Sequence, residues 1–159
     1  MSAITGGSFA AELRRVISGV FGAGAVDPRQ ERTFEILFRL LGHLSRIDGQ
    51  ITEEETGVVC AILGESHLPA ALRDRAMAAY NGDGSEIDLK VELERYLEVY
   101  PPGSPEISSL FENLIGLAQA DGRIDTAEQA FLDELTKWLG IPESYLQWKL
   151  QALKAQVLH

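Results

Sequence analysis

Apolar residues along this chain of 159 residues recur at intervals of three and four. That is the period of a helix with one buried face, and no stretch alternates long enough to suggest a strand. Phe9, Leu13, Val16, Ile17 and Val20 form a first short stripe, and Gly22-Ala23-Gly24-Ala25 reads as a flexible linker. Asp27-Pro28 is a cap with proline at the first helical position, ahead of a face made by Phe34, Leu37, Phe38, Leu41 and Leu44. A third helix begins near Thr52 and carries Val58, Val59, Ile62 and Leu63, and a fourth runs from Pro69 to Tyr80. The fifth holds Leu89, Leu93, Tyr96, Leu97 and Tyr100, and Pro101-Pro102-Gly103 ends it. Ser104-Pro105 caps a sixth helix, whose inward residues are Ile107, Leu110, Phe111, Leu114, Leu117 and Ala118. A seventh starts at Asp125, buries Phe131, Leu135 and Trp138, and closes at Gly140. Pro142 opens a last helix with Leu146, Leu150, Leu153 and Val157.

None of the six prolines falls inside a proposed helix, which supports these boundaries. The expected fold is an all-α bundle of seven or eight helices. Residues 1–27 form a short amphipathic helix with its Gly/Ala linker, and residues 28–159 form the helical domain. The first helix, residues 8–21, also carries Arg14 and Arg15 and suits either peripheral contact with a membrane surface or docking on its own domain.

The hydrophobic pattern repeats itself. Shifted by 73 positions, Leu37 and Phe38 fall on Leu110 and Phe111, Leu41 on Leu114, and Leu44 on Leu117. Asp48, Gly49, Ile51 and Glu55 fall on Asp121, Gly122, Ile124 and Glu128. Each copy reads helix, Asp-Gly-x-Ile-x-x-x-Glu, helix, so two similar helical hairpins should pack about a pseudo-two-fold axis. Much of the motif is explained by helix ends. Gly49 and Gly122 let the chain leave a helix at positive φ. Thr52 with Glu55 makes a capping box, and Asp125 with Glu128 makes an acidic analogue of one. Capping does not explain Asp48 and Asp121, because an aspartate opposes the negative C-terminal end of a helix dipole.

Charge and composition narrow the chemistry. The net charge is −10, with 10 acids and 8 bases in residues 1–80 but 14 acids and 6 bases in residues 81–159. So acidic a surface repels phosphate backbones and argues against nucleic-acid binding. The lone cysteine, Cys60, excludes an internal disulfide and a multi-cysteine metal site, and its mid-helix place suggests a small buried hydrophobe. No run is apolar and long enough for a membrane span, and the first residues lack a signal-peptide pattern, so the expectation is a cytoplasmic protein. No phosphate loop, His-Glu-x-x-His or nucleophile motif is present, so no enzyme is expected.

The motif also matches the second half of an EF-hand loop, with Glu55 at the bidentate position. The two places that should supply the first oxygens are held by Leu44 and Arg46 in one copy, and by Leu117 and Gln119 in the other. Asn81-Gly82-Asp83-Gly84-Ser85 is a second near miss, with Glu86 where the loop needs glycine. It reads as an exposed acidic loop. What remains open is one site shared between the copies, in which Asp48, Glu55, Asp121 and Glu128 converge on Ca²⁺ or Mg²⁺.

The segments 41–49, Leu-Gly-His-Leu-Ser-Arg-Ile-Asp-Gly, and 118–124, Ala-Gln-Ala-Asp-Gly-Arg-Ile, resemble the TerB-like family. That family contains the tellurite-resistance protein TerB and the central domain of the membrane-anchored co-chaperone DjlA; the closer likeness is to the DjlA type, over roughly residues 30–157. The resemblance implies an all-helical fold, an acidic metal site at the motif carboxylates, and a role in stress response or protein interaction without catalysis. DjlA-like chains also carry a membrane span and a J domain, which this sequence lacks. It is expected to be either a free-standing relative or a piece of a longer chain. The alternative function is a metal-free helical interaction or oligomerisation domain, homo-oligomerisation included, with Tyr145 and Trp148 marking an interface and the motif serving only as a capped turn.

Overall fold

The computed structural model describes residues 6–21, 28–47, 52–66, 68–82, 86–120, 126–142, 144–148 and 151. Every regular element among them is helical: α1 (Gly6–Phe21), α2 (Pro28–Arg46), α3 (Glu53–Glu65), α4 (Ala70–Asn81), α5 (Glu86–Val99), α6 (Pro105–Ala120) and α7 (Thr126–Leu139). A further helical stretch covers residues 144–148. The Gly22–Ala25 linker, the Asp27 cap, and Leu150, Leu153 and Val157 of the last stripe lie outside the described residues.

The helices start and stop for the reasons their sequences suggest. Thr52 caps α3, and Pro69 occupies the cap position of α4. At the end of α7, Gly140 takes φ 70°. Its N–H donates to the Lys137 carbonyl at 3.4 Å, and the Ile141 N–H reaches back to the Thr136 carbonyl at 2.8 Å. These two bonds make a Schellman motif, which requires a left-handed residue and so favours glycine.

α2 is the axis of the molecule. It packs against α4 most extensively, and against α6, α5 and α1 as well. Its expected face is buried, and so are Ile36 and Leu40 on its other sides. A helix with neighbours on several sides needs a wider apolar face, and α2 keeps charged residues, among them Glu31, Glu35 and Arg39, on the remaining arc. α4 buries the small residues Ala76 and Ala79 along with Leu72 and Tyr80.

The two copies of the repeat bury equivalent positions. Phe34 and Ile107, Phe38 and Phe111, Leu41 and Leu114, Val59 and Leu132, and Ile62 and Leu135 are all in the core. The equivalent helices α2 and α6 pack on each other, as expected of two half-exposed hairpins. Where one copy has Leu63 the other has Thr136, which is buried, with its hydroxyl donating to the Asp133 carbonyl at 2.6 Å.

α1 belongs to the same core. Ala10, Leu13, Val16 and Ile17 are buried in it, and the helix packs on α6 and α3. Leu13, Val16 and Ile17, three of the apolar residues that would enter a lipid surface in the membrane-contact reading, are therefore already occupied. An Arg14–Glu65 ion pair joins α1 to α3 at the surface. Among the described residues no helix is long and apolar enough to cross a membrane.

Candidate functional site

The elbow before α3 begins with its cap. The Thr52 hydroxyl oxygen accepts the Glu55 N–H at 3.1 Å, while Glu55 Oε1 accepts the Thr52 N–H at 3.3 Å and the Thr52 hydroxyl proton at 3.0 Å. This is a complete capping box. Glu53, Glu54 and Glu55 all lie in the first turn of α3, where the positive end of the helix dipole favours them. Replacing Thr52 with Ala is expected to cost about 1 kcal/mol, read as a lower urea midpoint at unchanged slope.

The cap accounts for only one oxygen of Glu55. The residue is 5% exposed, and among the described residues its Oε2 is buried without a hydrogen-bond partner. An unsatisfied buried polar atom costs about 1–3 kcal/mol, so a second oxygen in this state calls for its own explanation. Glu128 stands at the same register of α7 and is 6% exposed. A surface glutamate that merely decorated a first turn would not be buried in both copies.

Asp48 and Asp121, with Gly49, Gly122, Ile51, Ile124 and Asp125, lie outside the described residues. Among the described residues no three His, Cys, Asp or Glu side chains come together to hold an ion. The same holds for His67, His159 and residues 83–85 of the acidic loop: they lie outside the description. Glu92, the last position of that loop's near miss, is engaged with Arg39 at 3.0 Å.

Arg46, whose charge spoils the EF-hand pattern, has a structural use. Its Nη1 donates to the Tyr80 carbonyl at 2.8 Å and so places a cation at the C-terminal end of α4, where the helix dipole favours it. Burial draws its pKa below the ordinary arginine value, with Tyr80 opposing. His43 is half-buried, with its ring 4.6 Å from that of Phe131, so it packs α2 on α7.

Two further positions complete the picture. Cys60 is exposed, not the buried hydrophobe expected: it follows buried Val59 on α3 and turns outward. Trp148 is exposed, with its ring 6.1 Å from that of Tyr145. The Tyr145 hydroxyl donates to Glu112, and its pKa is pushed up to about 12 by burial and then by that carboxylate.

The architecture defines an all-helical module built from a duplicated hairpin with a buried glutamate opening the second helix of each copy. The family model for tellurite resistance protein TerB matches residues 35–149, and the chain belongs to that family. Among characterised relatives, the chain is similar to the co-chaperone protein DjlA of Vibrio cholerae, at 30% identity over 87% of this chain and 49% of the relative. The DjlA of Vibrio parahaemolyticus is 31% identical over the same shares, and that of Legionella pneumophila is 26% identical over 76% of this chain and 40% of its own. The chain thus spans about half the length of the relatives it matches or less. No solved structure gives a significant match.

Proposed function

We propose that the chain is a non-enzymatic stress-response module that binds a partner protein and holds a divalent cation, Ca²⁺ or Mg²⁺, at its two elbows. The partner reading is supported by the relatives, which are named as co-chaperones. The cation reading is supported by one observation above all, the buried and unpartnered Oε2 of Glu55. A hard cation prefers all-oxygen ligands and would satisfy such an atom. In this reading Glu55 and Glu128 supply oxygens from the helix starts, and Asp48 and Asp121 supply them from the turns.

A metal-free interaction domain is the second reading, and the complete Thr52–Glu55 capping box favours it. The variant Glu55→Gln separates the two, because glutamine serves a capping box but is a poor ligand for a hard cation. Calorimetric titration of Ca²⁺, Mg²⁺ and Mn²⁺ into the wild type is expected to give heat and a melting temperature raised by several degrees at about 100 times Kd, where linkage supplies about 2.7 kcal/mol. Glu55→Gln should fold normally and lose both effects. No heat and no thermal shift in the wild type at millimolar ion would leave the capping reading alone standing.

A further inference from the structure

A cavity of about 180 Å³ lies where the first turn of α2 meets the C-terminal half of α5. Tyr96 and Tyr100, with ring centroids 4.9 Å apart, join Val99 to give it an apolar lining, and Arg29, Arg32 and Arg95 bring three positive charges to it. The N-terminal end of α2, with Pro28 also lining the cavity, adds its partial positive charge.

Three of the neighbouring acids are committed elsewhere, while Glu106 also acts on Tyr96. Glu31 and Glu35 hold Arg75 at 3.2 and 2.7 Å, and Glu92 holds Arg39 at 3.0 Å. Among the described residues neither Arg32 nor Arg95 makes an ion pair, although Glu98 stands one turn from Arg95. In a chain of net charge −10, cations gathered around an apolar hollow select an anionic partner that also brings apolar surface.

The size of the hollow points to the kind of partner. Ligand pockets run to about 300–1,000 Å³, so this one suits a single anchoring side chain rather than a whole cofactor. The apolar surface also continues beyond it. Val91 and Val99 are 40% and 58% exposed, and both lie on α5 with Arg95 midway between them. Their i, i+4, i+8 spacing keeps them on one side of the helix over roughly 12 Å, a length that an extended peptide covers in about four residues.

We propose that the cavity and the α5 stripe together dock an acidic peptide segment of a partner protein. One apolar side chain enters against Tyr96 and Tyr100, and its flanking carboxylates pair with Arg32 and Arg95. This deepens the partner-binding part of the proposed function and rests on it.

The test is an array of hexapeptides in which acidic, basic, neutral polar and apolar residues are permuted at every position, probed with the full chain. Bound peptides are expected to carry Asp or Glu within two residues of an apolar side chain. The best of them, labelled and followed by fluorescence anisotropy, should bind tenfold or more weakly to the double variant Arg32→Gln/Arg95→Gln and weaken with added salt. Both side chains reach the surface, so the variant's melting temperature should match that of the wild type. Absence of acid selection, or equal affinity in the variant, overturns the proposal. Equal displacement by free citrate makes it a small-anion site, and self-association abolished by the variant makes it a contact between copies; either overturns it. Cross-linking in cells separates this failure from that of the broader reading. A partner captured equally by wild type and variant sinks the peptide site and leaves the interaction module standing.

Discussion

Gly42→Ala is expected to destabilise the protein by about 3 kcal/mol, against the usual sign of this exchange. In an exposed helix interior, alanine in place of glycine stabilises by up to ~1 kcal/mol. Here the position is buried where α2 crosses the end of α4. A Cβ built on Gly42 would lie 2.1 Å from the Tyr80 carbonyl oxygen and 2.8 Å from its carbon. The obstacle is backbone and cannot rotate away, so the two helices would have to part by about 1 Å to reach ordinary contact. Parting them loosens the packing of Tyr80, which is buried in the core. It also stretches the bond from Arg46 to the same carbonyl. For a domain of this size the cost corresponds to a melting temperature lowered by about 6–12 °C. Gly57 is the internal control, because a Cβ there meets nothing within 4 Å, so Gly57→Ala should be neutral or stabilising. If thermal unfolding shows Gly42→Ala and Gly57→Ala behaving alike, the close crossing is wrong.

The Gly42 contact also marks how far the sequence can be read. Spacing predicts Phe34, Leu37, Phe38, Leu41 and Leu44 as one buried face, since helical period is a local property. The burial of Ile36 and Leu40 depends on how many helices surround α2, and the approach of Gly42 to Tyr80 depends on where α4 crosses it. Neither can be read from a single helix. Cys60 shows the converse, because a small apolar residue type does not say which way its position faces. The Thr52–Glu55 box is legible because every partner lies within three residues. The state of Oε2 of the same glutamate is not, since burial without a partner is a matter of three-dimensional packing that a local pattern does not encode. The charged cavity is harder still to foresee. Arg32 and Arg95 stand far apart in sequence, and they meet because α2 lies beside α5, where the Thr33 and Tyr96 hydroxyl oxygens come within 2.7 Å of each other. Buried there, the Tyr96 phenol has a pKa raised to about 12.

Leu13→Asp is expected to have the largest effect of any single change considered, a loss of at least about 4 kcal/mol. Leu13 is 0% exposed, on a helix that the sequence pattern sets apart from the rest by a glycine-rich linker. Truncating such a leucine costs about 2–5 kcal/mol, and an aspartate adds the penalty of a charge with no partner. Val16 and Ile17 are buried in the same core, so α1 leaves or stays as a unit. Two outcomes distinguish a docked helix from an appended one. With α1 docked as described, Leu13→Asp lowers the cooperative melting temperature of the whole chain and speeds amide exchange in α3 and α6, the helices that α1 covers. With α1 merely appended, the main transition stays put and only α1 exchanges faster. The first outcome makes α1 part of the core that supports the elbows; the second would detach it from the domain and free its apolar face for another surface.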